Sequence, residues 1–326
     1  MHVKPNIFET KVENFEQNSL AAFQYQFQKN AVYQSYCKHI GLLDPNSVTS
    51  LLQIPFLPIS FFKTHAVKSF PEKPSLSFQS SATGNMGRSQ HHISDISFYE
   101  KSFIHTFEHQ FGSIQNTCIL GLLPSYLDRE GSSLIYMVQH LMKISAHPLN
   151  GFFLFEHKQL LERIALLERK QTPYFIFGVS FALLDFAKKQ QLQLQYGKVI
   201  ETGGMKGRKK EITRDELMAV LESGFGSNRI FSEYGMTELL SQAYAARDGK
   251  YIPAPWMKVL ITDLNDPFCI LPEQKAGIIN VIDLANIESC CFIQTSDLGK
   301  NHADGSFEIL GRADHSDTRG CSLMVV

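Results

Sequence analysis

TCILGLL (residues 117–123) is one of several short, wholly apolar runs in the middle of the chain, and YFIFGV (174–179) is another. Such runs are typical of strands that are buried on both faces of a sheet. The segments around them, 94–111, 132–143 and 156–170, instead carry apolar residues every three or four positions, which is the period of an amphipathic helix. Strands that alternate with helices predict an α/β fold with a doubly wound parallel sheet.

The two ends of the chain differ from this central stretch. In the first sixty residues apolar side chains such as Phe23 and Phe27 have helical spacing, until Pro55 and Pro58 interrupt it. After about Pro253, short β-branched runs such as KVLIT and GIINVID alternate with turn residues, which predicts a smaller β-rich subdomain. The predicted organisation is a helical segment, an α/β body and a β-rich subdomain: 1–60, 61–252 and 253–326, the last ending in RGCSLMVV.

Two helix beginnings are marked by residues suited to the N-cap position. Ser94 precedes one amphipathic segment, and Thr213 precedes another, TRDELMAVLESGFG. The second has acidic residues in its first turn and glycines at its end, as expected for a helix with a favourable macrodipole. We predict that Ser94 and Thr213 cap these two helices.

Size and charge exclude several classes of protein. The chain has 326 residues, of which 44% are hydrophobic and 19% charged, so it is a folded protein rather than a hormone or a disulfide-stapled mini-domain. Its 31 basic and 32 acidic residues give a net charge of -1, which provides no field to attract nucleic acid or an anionic membrane.

His91, His92 and His157 lack metal-ligand spacing and are predicted to be surface residues.

The length of the most apolar stretch and the spacing of the cysteines favour a cytoplasmic protein. The most apolar stretch, PYFIFGVSFALL (173–184), ends at Asp185, before it reaches the length of a membrane span. The six cysteines are scattered without a CxxC pair, which is typical of a reducing compartment. We expect a cytoplasmic protein with no membrane span and no nucleic-acid partner.

A first candidate for ligand binding is SFQSSATGNMGR (77–88). Its hydroxyls, glycines and single arginine are the groups that surround phosphate oxygens in phosphate-binding loops. It is not the Walker pattern, because GxxxxGK[ST] does not occur. A flexible Ser/Gly surface loop is the alternative interpretation.

A second candidate is SEYGMTEL (232–239), which follows the short apolar RIF. It is predicted to form a strand-to-helix turn, in which Glu238 can hold Mg²⁺ on a nucleotide and Thr237 can donate to a phosphate. The alternative is an ordinary turn in which Glu238 caps the N-terminus of a helix.

A third candidate is TSDLGKNHADGSFEILGRADHSD (295–317). Here Asp297 is predicted to lie in a turn before a strand, where a carboxylate can bind both hydroxyls of a ribose, and Arg312 can reinforce it. The alternative is a β-hairpin with its turn at Asp304 and Gly305. Further upstream, ETGG (201–204) ends an apolar strand with two glycines, for which a plain strand-end turn is one interpretation.

Taken together and in this order, the segments resemble the adenylate-forming acyl ligase (ANL) superfamily, whose members join a carboxylate to AMP and pass the acyl group to a thiol or other acceptor. SSATGNMGR resembles the phosphate loop, ETGG the adenine segment, YGMTE the Tyr-Gly-x-Thr-Glu motif, SDLG the ribose motif and GRAD the hinge segment. The likeness covers roughly residues 75 to 320. Short length and the ending RGCSLMVV look most like LuxE-like acyl-protein synthetases, which are related to phenylacetate-CoA ligases.

This resemblance implies a set of roles for individual residues. ATP and Mg²⁺ are the expected cofactors, with Glu238 as metal ligand and Thr237, Glu238 and Cys321 as catalytic residues. Cys321 would receive the acyl group as a thioester, because a thiolate is strongly nucleophilic and its product remains activated. ATP or AMP would be bound by Ser80, Ser81, Thr83, Gly84, Arg88, Gly203, Gly204, Tyr234, Gly235, Asp297 and Arg312.

The chain departs from the family pattern in two ways. Its phosphate loop has Ala82, Asn85 and Gly87 where the family usually has Gly, Gly and Pro, and Arg88 where it usually has Lys. Full-length ligases carry a mobile C-terminal domain with a catalytic lysine. We expect this chain to lack that domain, because the sequence ends six residues after Gly320 without a match to the lysine.

Two further features have open interpretations. The basic run KGRKK (206–210) either supplies the missing positive charge or is a solvated turn before a helix. Cys321, close to Arg319, is either the acyl acceptor or a buried cysteine in a terminal strand.

The expected function is therefore AMP-forming activation of a carboxylic acid, with a fatty acid as first expectation, followed by transfer to a protein cysteine. A thioester-consuming reductase, another acyl-accepting protein or CoA is the expected partner. The alternatives are an acyl-CoA ligase relative without the C-terminal domain and a non-catalytic nucleotide- or acyl-binding partner.

Overall fold

The structure is a computed structural model of the chain, and it describes residues 7–80, 87–124, 131–203 and 212–313. The α-helices, in chain order, are α1 (Phe15–Lys29), α2 (Ala31–His39), α3 (Phe61–Thr64), α4 (Ile96–Phe111), α5 (Ser133–Ser145), α6 (His157–Arg169), α7 (Ser180–Ala187) and α8 (Arg214–Phe225). Within the described ranges, none of them combines the length and apolar character that a membrane span needs.

Several of the strands occupy the short apolar runs expected from the sequence. In chain order they are β1 (Leu57–Pro58), β2 (Leu76–Gln79), β3 (Gln90–Ile93), β4 (Cys118–Leu122), β5 (Gly151–Phe152), β6 (Tyr174–Val179), β7 (Gly197–Thr202), β8 (Ile230–Tyr234), β9 (Ala243–Ala245), β10 (Tyr251–Pro253), β11 (Met257–Thr262), β12 (Gly277–Asp283), β13 (Phe292–Asn301) and β14 (Phe307–Arg312). The helical character of the first sixty residues is also found, in α1 and α2.

One large mixed sheet contains all of these strands except β2 and β3, which form a separate hairpin. Strands β5, β4, β6, β7 and β8 lie side by side in parallel. From β8 onward, β9, β10, β14, β13, β12 and β11 extend the same sheet by antiparallel pairs, and β1 runs parallel to β13. The predicted parallel sheet is confirmed, and the β-rich C-terminal strands continue it.

Helices cover both faces of the parallel part, which confirms the doubly wound arrangement. On one face, Phe107 of α4 packs against Phe175 and Phe177 of β6, with ring centroids 5.0 and 6.1 Å apart. On the other face, Phe186 of α7 stacks on Phe225 of α8 at 5.9 Å. Every residue of β4 and β6 is buried. This two-sided burial explains why these strands are wholly apolar, since each large side chain contributes about 1.5–3 kcal/mol when buried.

One of the two predicted helix caps is confirmed and the other is wrong by one residue. The Thr213 hydroxyl accepts a hydrogen bond from the Glu216 amide, and the Glu216 carboxylate accepts one from the Thr213 amide, which completes a capping box. At α4 the cap is Asp95, whose carboxylate accepts from an amide in the first turn. Ser94 instead donates its hydroxyl hydrogen bond to Glu288, 2.8 Å away, and so is not available as the cap.

A buried glutamine joins the N-terminal helices to the C-terminal half of the sheet. The Gln26 side chain of α1 is fully buried. Its amide nitrogen lies 2.9–3.1 Å from the carbonyl oxygens of Asn286, Ile287 and Ser289, and its oxygen accepts from the Cys291 amide at 2.9 Å. The side chain thereby satisfies backbone groups of the loop between β12 and β13 that have no strand partner.

Gly224 marks a close contact between α7 and α8, and replacing it tests this packing. A Cβ atom at Gly224 would lie 2.5 Å from the carbonyl oxygen of Ala187 and 2.6 Å from its Cβ. Alanine is favoured over glycine in a helix by about 1 kcal/mol, whereas overpacking costs about 1–3 kcal/mol. Because the added Cβ would meet backbone atoms of Ala187 at 2.5 and 2.7 Å, the overpacking cost should be about 2–3 kcal/mol, and we expect Gly224→Ala to lower the free energy of unfolding by about 1–2 kcal/mol in urea titrations.

The exposed neighbour Ser223 provides the control. Ser223→Ala should change the free energy of unfolding by less than about 0.5 kcal/mol. A Gly224→Ala protein as stable as the wild type would contradict the close approach of the two helices.

Candidate functional site

The candidate site is built on residues 235–242, which follow β8 at the carboxyl edge of the parallel strands. This edge is where open α/β sheets bind ligands. The segment makes a single turn, closed by the Leu239 amide on the Met236 carbonyl at 3.1 Å, and then enters β9. The helix predicted after this motif is not present in these described residues, so Glu238 does not cap one. We call residues 235–242 the motif loop.

Asp283, at the end of β12, fixes the far half of the motif loop. Its carboxylate accepts hydrogen bonds from the amides of Leu240 and Ser241, both at 2.9 Å, and from the Ser241 hydroxyl at 2.6 Å. The Trp256 indole donates to the same hydroxyl at 2.8 Å. Burial raises the pKa of Asp283, and the hydrogen bonds from Ser241 and the neighbouring amides oppose that shift. The Asp283 carboxylate thus accepts the loop amide hydrogen bonds that backbone carbonyls would accept in a helix.

Glu238 is buried in the near half of the motif loop, with 5% of its surface exposed. Its carbonyl oxygen accepts a hydrogen bond from the Asn286 side chain at 2.8 Å. Burial raises the pKa of its carboxyl group, while a hydrogen bond from Ser89 and the positive charges of Lys63 and Arg312 oppose the rise. Glu238 is therefore a desolvated carboxylate whose ionised form is favoured by the charges of Lys63 and Arg312.

The base of the predicted phosphate loop lies beside Glu238. Ser80 and Ser89 close this base by two hydrogen bonds, from the Ser80 amide to the Ser89 carbonyl at 3.1 Å and from the Ser89 amide to the Ser80 hydroxyl at 2.9 Å. Ser89 also reaches Glu238, and Arg88 is exposed next to it. The hairpin of β2 and β3 thus brings the first and second sequence motifs together.

Tyr234, Asp297 and Arg312 form a second cluster, which joins three predicted site residues. The Tyr234 hydroxyl donates to Asp297 at 2.9 Å, and the Arg312 guanidinium lies 3.5 Å from the other carboxylate oxygen. Burial raises the pKa of Asp297, whereas Tyr234 and Arg312 oppose the rise. The Arg312 side chain is 74% exposed, so this ion pair contributes little to stability and the guanidinium is accessible to a ligand.

Asp297 was predicted to lie in a turn, and this is wrong. It lies within β13, directly opposite Arg312 of β14. The chain reverses further on, at Asp304 and Gly305, where Gly305 has a φ of 84°. The β-hairpin given as the alternative interpretation of the sequence is therefore present. This hairpin pairs the strand that carries Asp297 with the strand that carries Arg312.

The carboxyl ends of β7 and β8 are followed by two glycines predicted to bind the nucleotide, Gly203 of ETGG and Gly235 of YGMTE. Gly203 follows β7 with a φ of 69°, a conformation that favours glycine. A Cβ atom at Gly235 would lie 2.3 Å from a carboxylate oxygen of Glu233, so only glycine fits there without a shift. Ser180 contacts both the Glu201 carboxylate and the Gly203 carbonyl.

Several predicted residues lie outside the described residues. They are Ser81, Thr83, Gly84, Gly204 and Cys321, together with the basic run 206–210 and Arg319. Their assigned roles stay predictions from the sequence.

His91 was predicted to be a surface residue, and this is wrong. It is fully buried, and its Nδ1 atom lies 2.8 Å from the carbonyl oxygen of Thr237 in the motif loop. Burial lowers the pKa of His91 to about 4, and the hydrogen bond to Thr237 opposes this shift. The alternation of β3 contained the signal, because His91 shares a strand face with the apolar Ile93.

The described residues contain no group of three or more His, Cys, Asp or Glu side chains able to hold a metal ion. Mg²⁺ is often held by only one or two carboxylates together with substrate phosphates. Glu238 provides one such carboxylate, and a divalent cation would stabilise its ionised form against the burial that raises its pKa. The site therefore fits a Mg²⁺ ion that arrives with a polyphosphate.

Comparisons of sequence find no relative: no protein-family model matches the chain, and no curated protein matches it either. Solved structures do match the fold. ATP-bound MatB from Rhodopseudomonas palustris is 17% identical with a TM-score of 0.55, over 72% of this chain and 47% of that one. The amide bond synthetase McbA from Marinactinospora thermotolerans is 17% identical with a TM-score of 0.52, over 77% and 51%.

A third structure covers more of both chains. The 2-hydroxyisobutyryl-CoA ligase in an open conformation, in complex with 2-HIB-AMP and CoA, is 12% identical with a TM-score of 0.69, over 95% of this chain and 78% of that one. This chain spans about half the length of MatB and McbA. The likenesses show that it has the α/β fold seen in these ligases.

The buried, neutral state of His91 predicts a pH dependence of stability. Because the pKa of His91 is lowered from 6.5 to about 4 on folding, the unfolded chain binds the proton first as the pH falls. The stability that neutral His91 contributes is complete above pH 6.5 and is lost as the pH falls towards 4. Between pH 7 and pH 5.5, we expect the wild type to lose about 1 kcal/mol relative to His91→Asn.

Urea denaturation of both proteins at the two pH values measures this difference. Other titrating groups are common to the two proteins and cancel. A stability difference that does not change with pH would show that His91 is not held neutral in the fold.

Proposed function

We propose that the chain activates a carboxylic acid with ATP, forming an acyl-adenylate and pyrophosphate. The observation that carries the proposal is the meeting of three separate motifs around the motif loop. Ser89, at the base of the first motif, reaches Glu238 of the second. Tyr234 of the second motif bonds Asp297 of the third, which also lies beside Arg312. Groups suited to phosphate, metal and ribose are therefore adjacent at the ligand edge of the sheet.

In the proposed complex the nucleotide extends from Gly203 and Gly235 towards the β2–β3 hairpin. Asp297 binds the ribose hydroxyls, because a carboxylate accepts from both. The loop residues Ser80 to Arg88 surround the phosphates with hydroxyl and amide donors. The likeness to the ATP-bound MatB structure supports ATP as the nucleotide.

Mg²⁺ held by Glu238 would neutralise charge on the phosphates of the bound nucleotide. The protein's own share is electrostatic. The guanidinium of Arg312 and the ammonium of Lys63, whose charges both act on Glu238, lie where they can stabilise negative charge that develops during the reaction. Thr237 supplies a hydroxyl donor on the same loop.

The first step is a displacement at the α-phosphorus. A carboxylate oxygen of the acid attacks this phosphorus, a new P–O bond forms, and the bond to pyrophosphate breaks. Positioning and charge stabilisation supply most of the acceleration in such reactions, since little covalent chemistry is left for the protein. A fatty acid is the proposed substrate.

In the second step the thiolate of Cys321 attacks the acyl carbon. A thioester bond forms, the bond to the AMP oxygen breaks, AMP leaves, and the thiol proton has already passed to solvent. The resemblance of the C-terminal sequence to LuxE-like synthetases supports this acceptor. The product would be consumed by a reductase or another acyl-accepting protein. CoA is the second candidate acceptor, because the 2-hydroxyisobutyryl-CoA ligase of the same fold was solved with CoA.

Carboxylate-dependent exchange of pyrophosphate into ATP tests the first step. With pooled short, long and aromatic acids, we expect exchange by the wild type and a loss on the order of 100-fold in Glu238→Gln. The amide should leave the fold intact, because Glu238 is buried and its carboxylate pays a desolvation cost. Glu273→Gln, an exposed site, is the matched control and should exchange at the wild-type rate. Wild-type rates in Glu238→Gln would refute the metal assignment.

Intact mass after incubation with ATP and the best acid tests the second step. We expect an acyl adduct on the wild type and none on Cys321→Ser, while both proteins catalyse pyrophosphate exchange. Hydroxylamine should remove the adduct, since it cleaves thioesters. If Cys321→Ser keeps full acid-dependent AMP release on addition of CoA and the wild type carries no adduct, CoA is the acceptor instead.

A further inference from the structure

His91 joins the phosphate-loop hairpin to the motif loop. It lies on β3, two residues after Ser89, and its partner Thr237 is 146 residues further along the chain. The edge of its ring also packs on Phe62 of α3, with centroids 5.8 Å apart and planes at 89°. The imidazole is therefore held on one side by an aromatic ring and on the other by a backbone carbonyl.

The partner of Nδ1 determines the tautomer of His91. A carbonyl oxygen can only accept a hydrogen bond, so Nδ1 carries the proton and Nε2 is a bare acceptor. Nε2 is buried and has no hydrogen-bond partner among the described residues. An apolar side chain would fill the same space without leaving a polar atom unsatisfied. Packing alone does not account for a histidine here, whereas the bond from Nδ1 does.

The hydrogen bond acts on the peptide that links Thr237 to Glu238. Because the peptide unit is planar, fixing the direction of the Thr237 carbonyl also fixes the direction of the Glu238 amide and the position of the Glu238 Cα atom, from which its side chain starts. A hydrogen bond from Ser89 also opposes the rise in the pKa of the Glu238 side chain. Strand β3, through His91, and the preceding residue Ser89 thereby act on two successive residues of the motif loop, and both lie directly after the predicted phosphate loop.

We propose that His91 is a positioning residue that holds the Thr237–Glu238 peptide in register with the phosphate-loop hairpin, through the bond from Nδ1 to the Thr237 carbonyl. This inference rests on the proposed function for its effect on catalysis, but the restraint on the motif loop is a property of the fold. His91 touches neither substrate nor metal; it acts through Glu238.

Two substitutions separate the hydrogen bond from the packing. His91→Asn retains a donor at nearly the place of Nδ1, whereas His91→Leu fills the space without a donor. The neighbouring His92→Leu is the matched control. That histidine is only partly buried, and it bonds Ser77 within the hairpin at 2.8 Å.

Pyrophosphate exchange and amide hydrogen exchange are measured on all four full-length proteins. For His91→Leu we expect a 10- to 100-fold lower turnover with the KM for the acid changed less than about threefold, and for His91→Asn a turnover within about fivefold of the wild type. Hydrogen exchange by mass spectrometry should become faster in peptides covering 235–242 in His91→Leu alone, while β6 stays protected.

The outcomes are distinguishable. Equal losses in His91→Asn and His91→Leu, or faster hydrogen exchange throughout the sheet, would overturn the inference in favour of simple packing. If the wild type shows no pyrophosphate exchange with any acid, the proposed function fails. The hydrogen-exchange measurement then tests the restraint of the motif loop by His91 on its own. Faster exchange confined to 235–242 in His91→Leu would then uphold the restraint, and unchanged exchange there would overturn it.

Discussion

The buried carboxylate of Asp283 holds the loop on which the candidate site is built. It is fully buried and accepts three hydrogen bonds from Leu240 and Ser241, so a residue of the core determines where the motif loop lies. Without it, the loop amides would be buried and unsatisfied, at about 1–3 kcal/mol for each group. His91 and Asn286 then orient the carbonyls of Thr237 and Glu238 in the middle of the loop. The site is therefore shaped by core residues that approach no ligand themselves.

Three carboxylates at this edge of the sheet share one arrangement. Glu201, Glu238 and Asp297 each have a pKa raised first of all by burial. Each is also opposed in that shift by a hydroxyl from another element, and the hydroxyls belong to Ser180, Ser89 and Tyr234 respectively. Neutral donors compensate only part of the desolvation of a charge. Cationic partners, whether Arg312, Lys63 or a metal with its nucleotide, would compensate the rest of the desolvation cost.

The sequence predicted those parts of the molecule that follow from local pattern. Wholly apolar runs such as β4 and β6 indicated a parallel sheet, and the parallel sheet implied that loops after successive strands would meet. The order of motifs then predicted nucleotide-binding roles for Tyr234, Asp297 and Arg312, and the fold brings these three side chains together through a hydrogen bond and an ion pair. Local sequence patterns do not predict hydrogen bonds between residues far apart in the chain, so the contacts of Asp283, His91 and Asn286 with the motif loop were missed. Asp297 was misplaced because a ten-residue strand with polar residues does not alternate clearly.

The bonds of Gln26 have a consequence for the order of events during synthesis. Its side-chain oxygen accepts a hydrogen bond from the amide of Cys291, which is 265 residues further along the chain. At about 5–20 residues per second, α1 leaves the ribosome roughly 13–53 seconds before its partner exists. During that interval the apolar face of α1, with Phe23 and Phe27, has no sheet to cover it. Contacts of such high sequence separation slow folding, and the nascent helix is the segment that a chaperone would be expected to shield.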